Sequence, residues 1–292
     1  MKNRKQLFKY LISLLIFGMN GIVANQIAMT SEQIVLSRTI IGGALLVILF
    51  FATRQQLHKE AIRRQWPVLL LSGAAMGLSW IFLFGAYRLS SVSMATLLYY
   101  SGPVFVLLLA PVLFREKLTG QHLVGIVVVL AGMFLVNGVG ASFSGLSLGF
   151  VYGVLSALLY AVMILACKHV TGIAGLERTT IQILVACAVV AVYNLATDQP
   201  PVSWSTESVL ATAVLGVVNT GAACYLYFSS IPELPAQTVA VCSYLDPLSA
   251  LVFSALFLGE RMSAVQLVGA ACILGGAAFA ELYKGKKRSG AV

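Results

Sequence analysis

Residues 111–125, PVLFREKLTGQHLVG, and residues 255–269, ALFLGERMSAVQLVG, are two copies of one pattern. In each copy an apolar run ends on Leu or Phe, a Glu followed by Lys or Arg interrupts it, and a second apolar run opens through Leu-Val-Gly. Working outward, Tyr87 to Gly125 aligns on Ile231 to Gly269 without a gap at a shift of 144 residues. The shift puts Gly77 on Gly221, Tyr100 on Tyr244, Pro103 on Pro247 and Glu116 on Glu260. Farther on it puts Lys117 on Arg261, Leu123 on Leu267, Gly125 on Gly269 and Gly132 on Gly276. Shared hydrophobicity does not generate matches at Gly, Pro and Glu, so the chain carries an internal duplication.

Composition supplies the solvent. Of 292 residues 59% are hydrophobic and 10% charged, with a mean hydropathy of +0.93. A soluble domain carries about 25% charged residues, so a soluble protein, a disordered chain and a nucleic-acid-binding module are excluded. At about 20 apolar residues per crossing, ten helices leave only short ends and connections. Apolar stretches near 7–28, 32–53, 67–87, 93–114, 118–138, 146–168, 178–196, 208–230, 236–258 and 263–283 predict those ten crossings. The first follows Lys2, Arg4 and Lys5 as a signal peptide would. It runs too long, holds Asn20, Asn25 and Gln26, and lacks a small-residue cleavage site, so it is read as a retained helix.

The net charge of +9 is a topology signal. With the N-terminus inside, 16 of the 19 Lys and Arg fall in inside segments, Arg88 and Arg261 fall outside, and Arg38 lies within a span. This asymmetry predicts a multi-pass protein of the cell membrane with both termini cytoplasmic. Cys167, Cys187, Cys224, Cys242 and Cys272 lie in or beside apolar segments without C-x-x-C spacing and read as free thiols. The three histidines, His58, His122 and His169, are too scattered to form a ligand cluster. No metal site and no cofactor are expected.

The spans group as five plus five, residues 1–140 and 141–292. Because five is odd, the second copy enters the membrane in the opposite sense. The charges agree, since Arg115, Glu116 and Lys117 fall inside and Glu260 with Arg261 outside. The predicted fold is therefore an all-α membrane protein of ten transmembrane helices in two inverted five-helix repeats, an architecture common among secondary transporters. The paired segments resemble the EamA-type repeats of the drug/metabolite transporter superfamily, most specifically over Phe114 to Gly125 and Leu258 to Gly269. That resemblance implies export of small metabolites by alternating access. One departure is Arg115 where the second copy has Gly259, which predicts a less tight first turn.

Ionisable groups inside a bilayer raise a functional hypothesis. Arg38 lies seven residues after Ser31, about 10 Å inward, and Asp246 ten residues after Ala236, about 15 Å in. The repeat maps them on Gln182 and Gly102, so neither charge is demanded by the duplicated scaffold. Arg38 suits a carboxylate and Asp246 an ammonium group, as a zwitterionic amino acid requires; a mutual salt bridge or snorkelling of Arg38 is the structural alternative. Asp246 is also a candidate carrier of a coupling proton. Asn20, Trp80, Tyr99, Tyr100, Tyr160, Asn219, Tyr225 and Tyr244 are candidates to line the same cavity, since polar groups in lipid must face protein or water. Pro103 and Pro247 mark hinges or broken-helix points, or static kinks. Glu116 and Glu260 read as helix-start residues, and Gly73-x-x-x-Gly77 as a close-packing site.

No G-x-x-x-x-G-K-[ST] motif is present, which argues against an ATP-driven pump. Residues Gly145 to Gly149 match G-x-S-x-G, but at the start of a predicted membrane helix with all three histidines on the opposite side, so an enzyme is not expected. The sequence thus predicts a secondary carrier exporting a small organic metabolite, an amino acid or related compound, with export of organic cations or drugs as the alternative. Its partners are a small-molecule substrate and membrane lipid, and it is a monomer or a homodimer.

Overall fold

The computed structural model describes residues 2–89, 92–115, 120–137, 147–202, 205–257 and 263–282. Among them the chain is helical, with no strand. The first part runs α1 (Lys2–Gly18), α2 (Asn20–Ala24), α3 (Ser31–Ala52), α4 (Lys59–Leu89), α5 (Val92–Tyr99), α6 (Gly102–Phe114) and α7 (Gly120–Asn137). The second runs α8 (Leu148–His169), α9 (Gly175–Ala196), α10 (Thr206–Val214), a π segment (Leu215–Ala222), α11 (Ala223–Ser230), α12 (Ala236–Cys242), α13 (Leu245–Phe257) and α14 (Ala264–Leu282). Six helical stretches are long and apolar enough to cross a membrane, and Gly102–Phe114, Gly120–Leu135 and Ala264–Gly276 are shorter apolar helices. The exposed surface carries Phe51, Val112, Leu195 and Leu256, as lipid contact requires.

The elements follow the predicted apolar stretches, with informative differences. The fourth and ninth stretches are split, between α5 and α6 at Tyr100–Ser101 and between α12 and α13 at Ser243–Tyr244. The repeat shift relates these breaks to within one residue, and Pro103 and Pro247 follow them within the first turn of α6 and α13, where a missing N–H costs little. The prolines therefore start half-helices rather than kink continuous ones. Helix α4 begins at Lys59, eight residues before the apolar stretch, because Lys59 to Gln65 are helix formers that hydropathy does not register. Its extension is anchored where Gln65 donates to the Thr171 carbonyl at 2.6 Å and accepts from the Thr171 N–H at 2.9 Å.

Helices approach closely through small residues and hydroxyls, the usual adhesives where lipid offers no hydrophobic drive. Between α4 and α8, Ser79 Oγ donates to the Ser156 carbonyl at 2.9 Å and Ser156 Oγ to the Ser79 carbonyl at 2.8 Å. Gly73 and Gly77 let α4 meet α9, since an added Cβ would lie 2.6 Å from Val185 and 3.0 Å from the Ala186 carbonyl. Helices α7 and α14 pack through the four repeated glycines: a Cβ on Gly132 would stand 2.6 Å from the Gly269 carbonyl, and one on Gly276 2.8 Å from the Gly125 carbonyl. The repeat shift converts the first contact into the second.

The turn for which the sequence predicts a less tight course lies beyond Arg115, outside the described residues. Arg115 is the last residue described before it. It closes α6 in the left-handed conformation, φ +54°, that glycine adopts most easily. That conformation carries a strain of about 1–2 kcal/mol for a residue bearing a Cβ. Glu116 and Glu260 lie outside the described residues. Ser147, the centre of the G-x-S-x-G match, is the N-cap of α8 and accepts from the Phe150 N–H at 3.2 Å.

Replacing Gly132 with Ala should force α7 and α14 apart at a cost of about 1–3 kcal/mol and lower the melting temperature in detergent by several degrees. Gly275→Ala, with nothing within 4 Å of the added carbon, should leave it unchanged. Equal melting temperatures for the two variants would refute the close approach.

Candidate functional site

Three helix interruptions converge on one cavity. Between α1 and α2 the chain breaks at Met19, and Asn219 in the π segment donates from Nδ2 to the Ile16 carbonyl at 2.8 Å. Ser249 of α13 donates to the Leu14 carbonyl at 3.3 Å and to its own Asp246 carbonyl at 2.8 Å. These donors hold Leu14, Phe17 and Asn20 at the cavity wall. The α5/α6 break presents Tyr99 and Tyr100, and the α12/α13 break presents Ser243 and Asp246. Half-helix breaks at membrane depth are tolerated where they line such a space.

Both charges reach this cavity. Arg38 Nε donates to Thr220 Oγ1 at 2.8 Å, and its guanidinium lies 5.0 Å from the Trp80 ring centroid, within cation–π range. Tyr100 and Asp246 line the same cavity as Arg38. No ion pair within 4.0 Å joins Arg38 to Asp246. The mutual salt bridge that the sequence left open is absent from this structure.

Aromatic side chains complete the wall. Tyr160 and Tyr227 share a hydrogen bond of 2.9 Å between their hydroxyls, and Tyr99 packs edge-on against Tyr160 with centroids 5.5 Å apart. Tyr227 stacks on Tyr10 at 5.1 Å, and Phe17 meets it edge-on at 5.4 Å. The cavity measures about 100 Å³, well below the roughly 300–1,000 Å³ of pockets for drug-sized ligands.

Of the residues singled out in the sequence, the cavity gathers Arg38, Asp246, Asn20, Trp80, Tyr99, Tyr100 and Tyr160. Asn219, Tyr225 and Tyr244 are placed elsewhere: Asn219 is spent on the Ile16 carbonyl, Tyr225 is half-buried against the core, and Tyr244 is fully buried with its hydroxyl unpartnered. Pro103 and Pro247 lie in the first turns of the half-helices α6 and α13. Sequence reasoning missed Phe17, Met163, Cys224, Tyr227 and Ser243, along with Thr220. The repeat register offered a signal for Ser243, which aligns on Tyr99.

Three helices are tied to the stretch from α11 to α12. Tyr10 donates to the Val239 carbonyl at 2.9 Å, Lys168 to the Leu234 carbonyl at 2.5 Å, and Arg178 Nη2 to the Phe228 carbonyl at 2.9 Å. On α9, Glu177 accepts from the His58 N–H and meets His58 Nδ1, both at 2.8 Å. At the other end, Thr30 hydrogen-bonds Gln199 at 2.8 Å and Gln33 donates to the Pro200 carbonyl at 2.6 Å.

A polar, aromatic-walled cavity enclosed by broken apolar helices has relatives. The model of the EamA-like transporter family matches residues 5–138 and again 147–281. The chain belongs to this family. It is a multi-pass membrane protein with two EamA repeats. An uncharacterized transporter of Bacillus subtilis, YxxF, is 27% identical over 276 residues, 92% of this chain and 87% of the relative. An uncharacterized transporter of Archaeoglobus fulgidus is 28% identical over 65% of the chain and 67% of its own length. A solved crystal structure, 21% identical, superposes with a TM-score of 0.86 over 96% of this chain and 98% of that one, which shows that the fold is shared.

Because Trp80 faces the guanidinium, a solute that binds at Arg38 should change its fluorescence. The change should persist in Trp66→Phe, where the ring removed is 57% exposed, and vanish in Trp80→Phe. A signal that survives Trp80→Phe would place the solute elsewhere.

Proposed function

We propose that this EamA-family protein is a secondary active carrier that exports a small zwitterionic metabolite, an amino acid or a close relative, by alternating access. The observation that carries this reading is the unmet hydrogen-bonding capacity of the cavity. The guanidinium of Arg38 supplies donors, while the Asp246 carboxylate and the buried, unpartnered Asn20 Oδ1 supply acceptors. Donors and acceptors of opposite charge that share a cavity without pairing suit a solute carrying both signs.

The scaffold reading is ten crossings in two inverted repeats, residues 1–140 and 141–292, with both termini cytoplasmic. Counting α1/α2, α5/α6, α10 with the π segment and α11, and α12/α13 each as one crossing gives ten. The reciprocal glycine contacts of α7 and α14 support a two-fold relation between halves, as does the exchange of neighbours: α4 packs on α8 and α9, while α11 packs on α1 and the π segment on α3. The paired breaks of α5/α6 and α12/α13 beside the cavity support alternating access, since discontinuous helices at the interface of two repeats are a recurring feature of carriers that work this way.

Asp246 also offers a coupling mechanism. A carboxylate that takes a proton loses its charge and with it the attraction for an ammonium group, so proton and solute exclude one another at this side chain. Mutual exclusion at one group is the requirement for exchange. The aromatic walls favour a second reading, export of organic cations held by Asp246 and ring faces. The 100 Å³ cavity and the presence of Arg38 weigh against drug-sized cations.

The test is efflux from proteoliposomes loaded with amino acids, nucleosides, sugars and organic cations, read by mass spectrometry for wild type, Asp246→Asn and Arg38→Gln. Selective efflux of zwitterions, reduced at least about tenfold in both variants as expected for loss of a charged hydrogen bond, is the expected result. Efflux of cations lost only in Asp246→Asn would replace this reading with the cation exporter.

A further inference from the structure

The π segment between α10 and α11 has a specific product, the placement of Thr220. This residue is fully buried. Its Oγ1 donates to the Leu215 carbonyl, five residues back, at 3.0 Å, and accepts from Arg38 Nε at 2.8 Å. A hydroxyl has one proton and two lone pairs. With the proton committed to Leu215, a lone pair is left for Arg38, so the direction of the Nε–H bond is set by the wide turn. The Thr220 methyl is clamped as well, since a Cβ on Gly42 of α3 would stand 2.7 Å from it.

Arg38 is thus held from two sides, by Thr220 along its Nε edge and by Trp80 against its ring face. What remains is the outer pair of Nη groups, the geometry that receives a carboxylate in a bidentate pair. The arrangement exists in one half only. The repeat partners of Arg38 and Thr220 are Gln182 and Met76. Gln182 donates to Ser72 Oγ instead, and Met76 has no hydroxyl to accept. A hydrogen-bonded anchor on one side of a duplicated scaffold is a built feature of the site, and π turns concentrate at such features.

We propose that Thr220 is a positioning residue that fixes Arg38 for the carboxylate of the transported solute, and so sets the selectivity for carboxylate-bearing solutes over their amines. This inference rests on the reading of Arg38 as the carboxylate partner. Thr220 does not touch the solute; it acts by removing the freedom of a side chain that otherwise swings through several rotamers.

The experiment compares efflux of two zwitterion and amine pairs, free leucine with isoamylamine and free phenylalanine with phenethylamine, from proteoliposomes of wild type, Thr220→Val, Thr220→Ser and Arg38→Gln. In wild type the zwitterions should move with the lower KM. Thr220→Val keeps the shape but loses the acceptor, so the zwitterion KM should rise about tenfold with little change in kcat or in amine efflux. Thr220→Ser, which keeps the hydroxyl, should restore the wild-type preference. A preference unchanged in Thr220→Val, but lost in Arg38→Gln, overturns the positioning role alone. A wild type indifferent to the carboxylate overturns the carboxylate reading of Arg38 and this inference with it. Uniform loss of zwitterion and amine efflux in Thr220→Val, with a lowered melting temperature, assigns Thr220 to the packing of α3 and overturns selectivity control.

Discussion

A guanidinium and a carboxylate cannot be left facing hydrocarbon, and the arrangement of this chain follows from enclosing one of each. Each helix meets the backbone demand of a bilayer within its own segment, because every N–H and C=O must be satisfied inside the protein. A bundle of intact helices would close its centre completely. The breaks at Met19, at Tyr100–Ser101 and at Ser243–Tyr244 open that centre, and each is repaired locally. Asn219 takes the Ile16 carbonyl, and Ser101 Oγ and Ser243 Oγ donate back to the Leu98 and Ala240 carbonyls at 2.6 and 2.7 Å. The breaks are tolerated because backbone carbonyls beside them are already bonded.

The duplication builds the walls, and departures from it build the chemistry. Gly125, Gly132, Gly269 and Gly276 repeat because the α7 and α14 backbones touch at both pairs of positions. At Gly102 repetition was not possible. A Cβ there would stand 2.7 Å from the Tyr160 ring and 3.0 Å from the Ala157 carbonyl, so α6 must lie on α8 without a side chain. The matching position in α13 has room and holds Asp246 in the cavity. Gln182, opposite Arg38 in the repeat, is turned away to tie α9 to α4 through Ser72. Two equivalent positions thus carry scaffold in one half and charge in the other.

Much of this was legible in the sequence, for identifiable reasons. Hydropathy marks apolar length, so the apolar stretches and the family emerged, and Gly and Pro matches fixed the repeat register. Charge in an apolar span is rare enough that Arg38 and Asp246 stood out without any alignment. Residues whose role depends on direction were less legible. Asn219 and Asn20 are alike as polar residues in apolar spans, yet one is consumed by a backbone carbonyl and the other faces the cavity. Tyr227 escaped notice because nothing in its neighbourhood distinguishes a wall aromatic from a core one. A π turn shifts every following side chain by about one position around the helix, so Thr220 could not be aimed at Arg38 from periodicity. Arg115 shows the complementary limit: its residue type gives no hint of the left-handed backbone it adopts.

The contacts that tie the α11–α12 stretch to the bundle differ in kind from the cavity walls. Tyr10 of α1, Lys168 of α8 and Arg178 of α9 reach from three helices to carbonyls within one short stretch, Phe228, Leu234 and Val239. The acceptors are backbone groups at the end of α11, in the connection and in α12, so the contacts depend on where that stretch lies and not on its side chains. Each is one hydrogen bond, worth about 0.5–3 kcal/mol net depending on charge. The same stretch is packed into the core, with Phe228, Ile231, Ala236, Val239 and Val241 buried, so apolar contact holds the element in place and the hydrogen bonds fix its register against α1, α8 and α9.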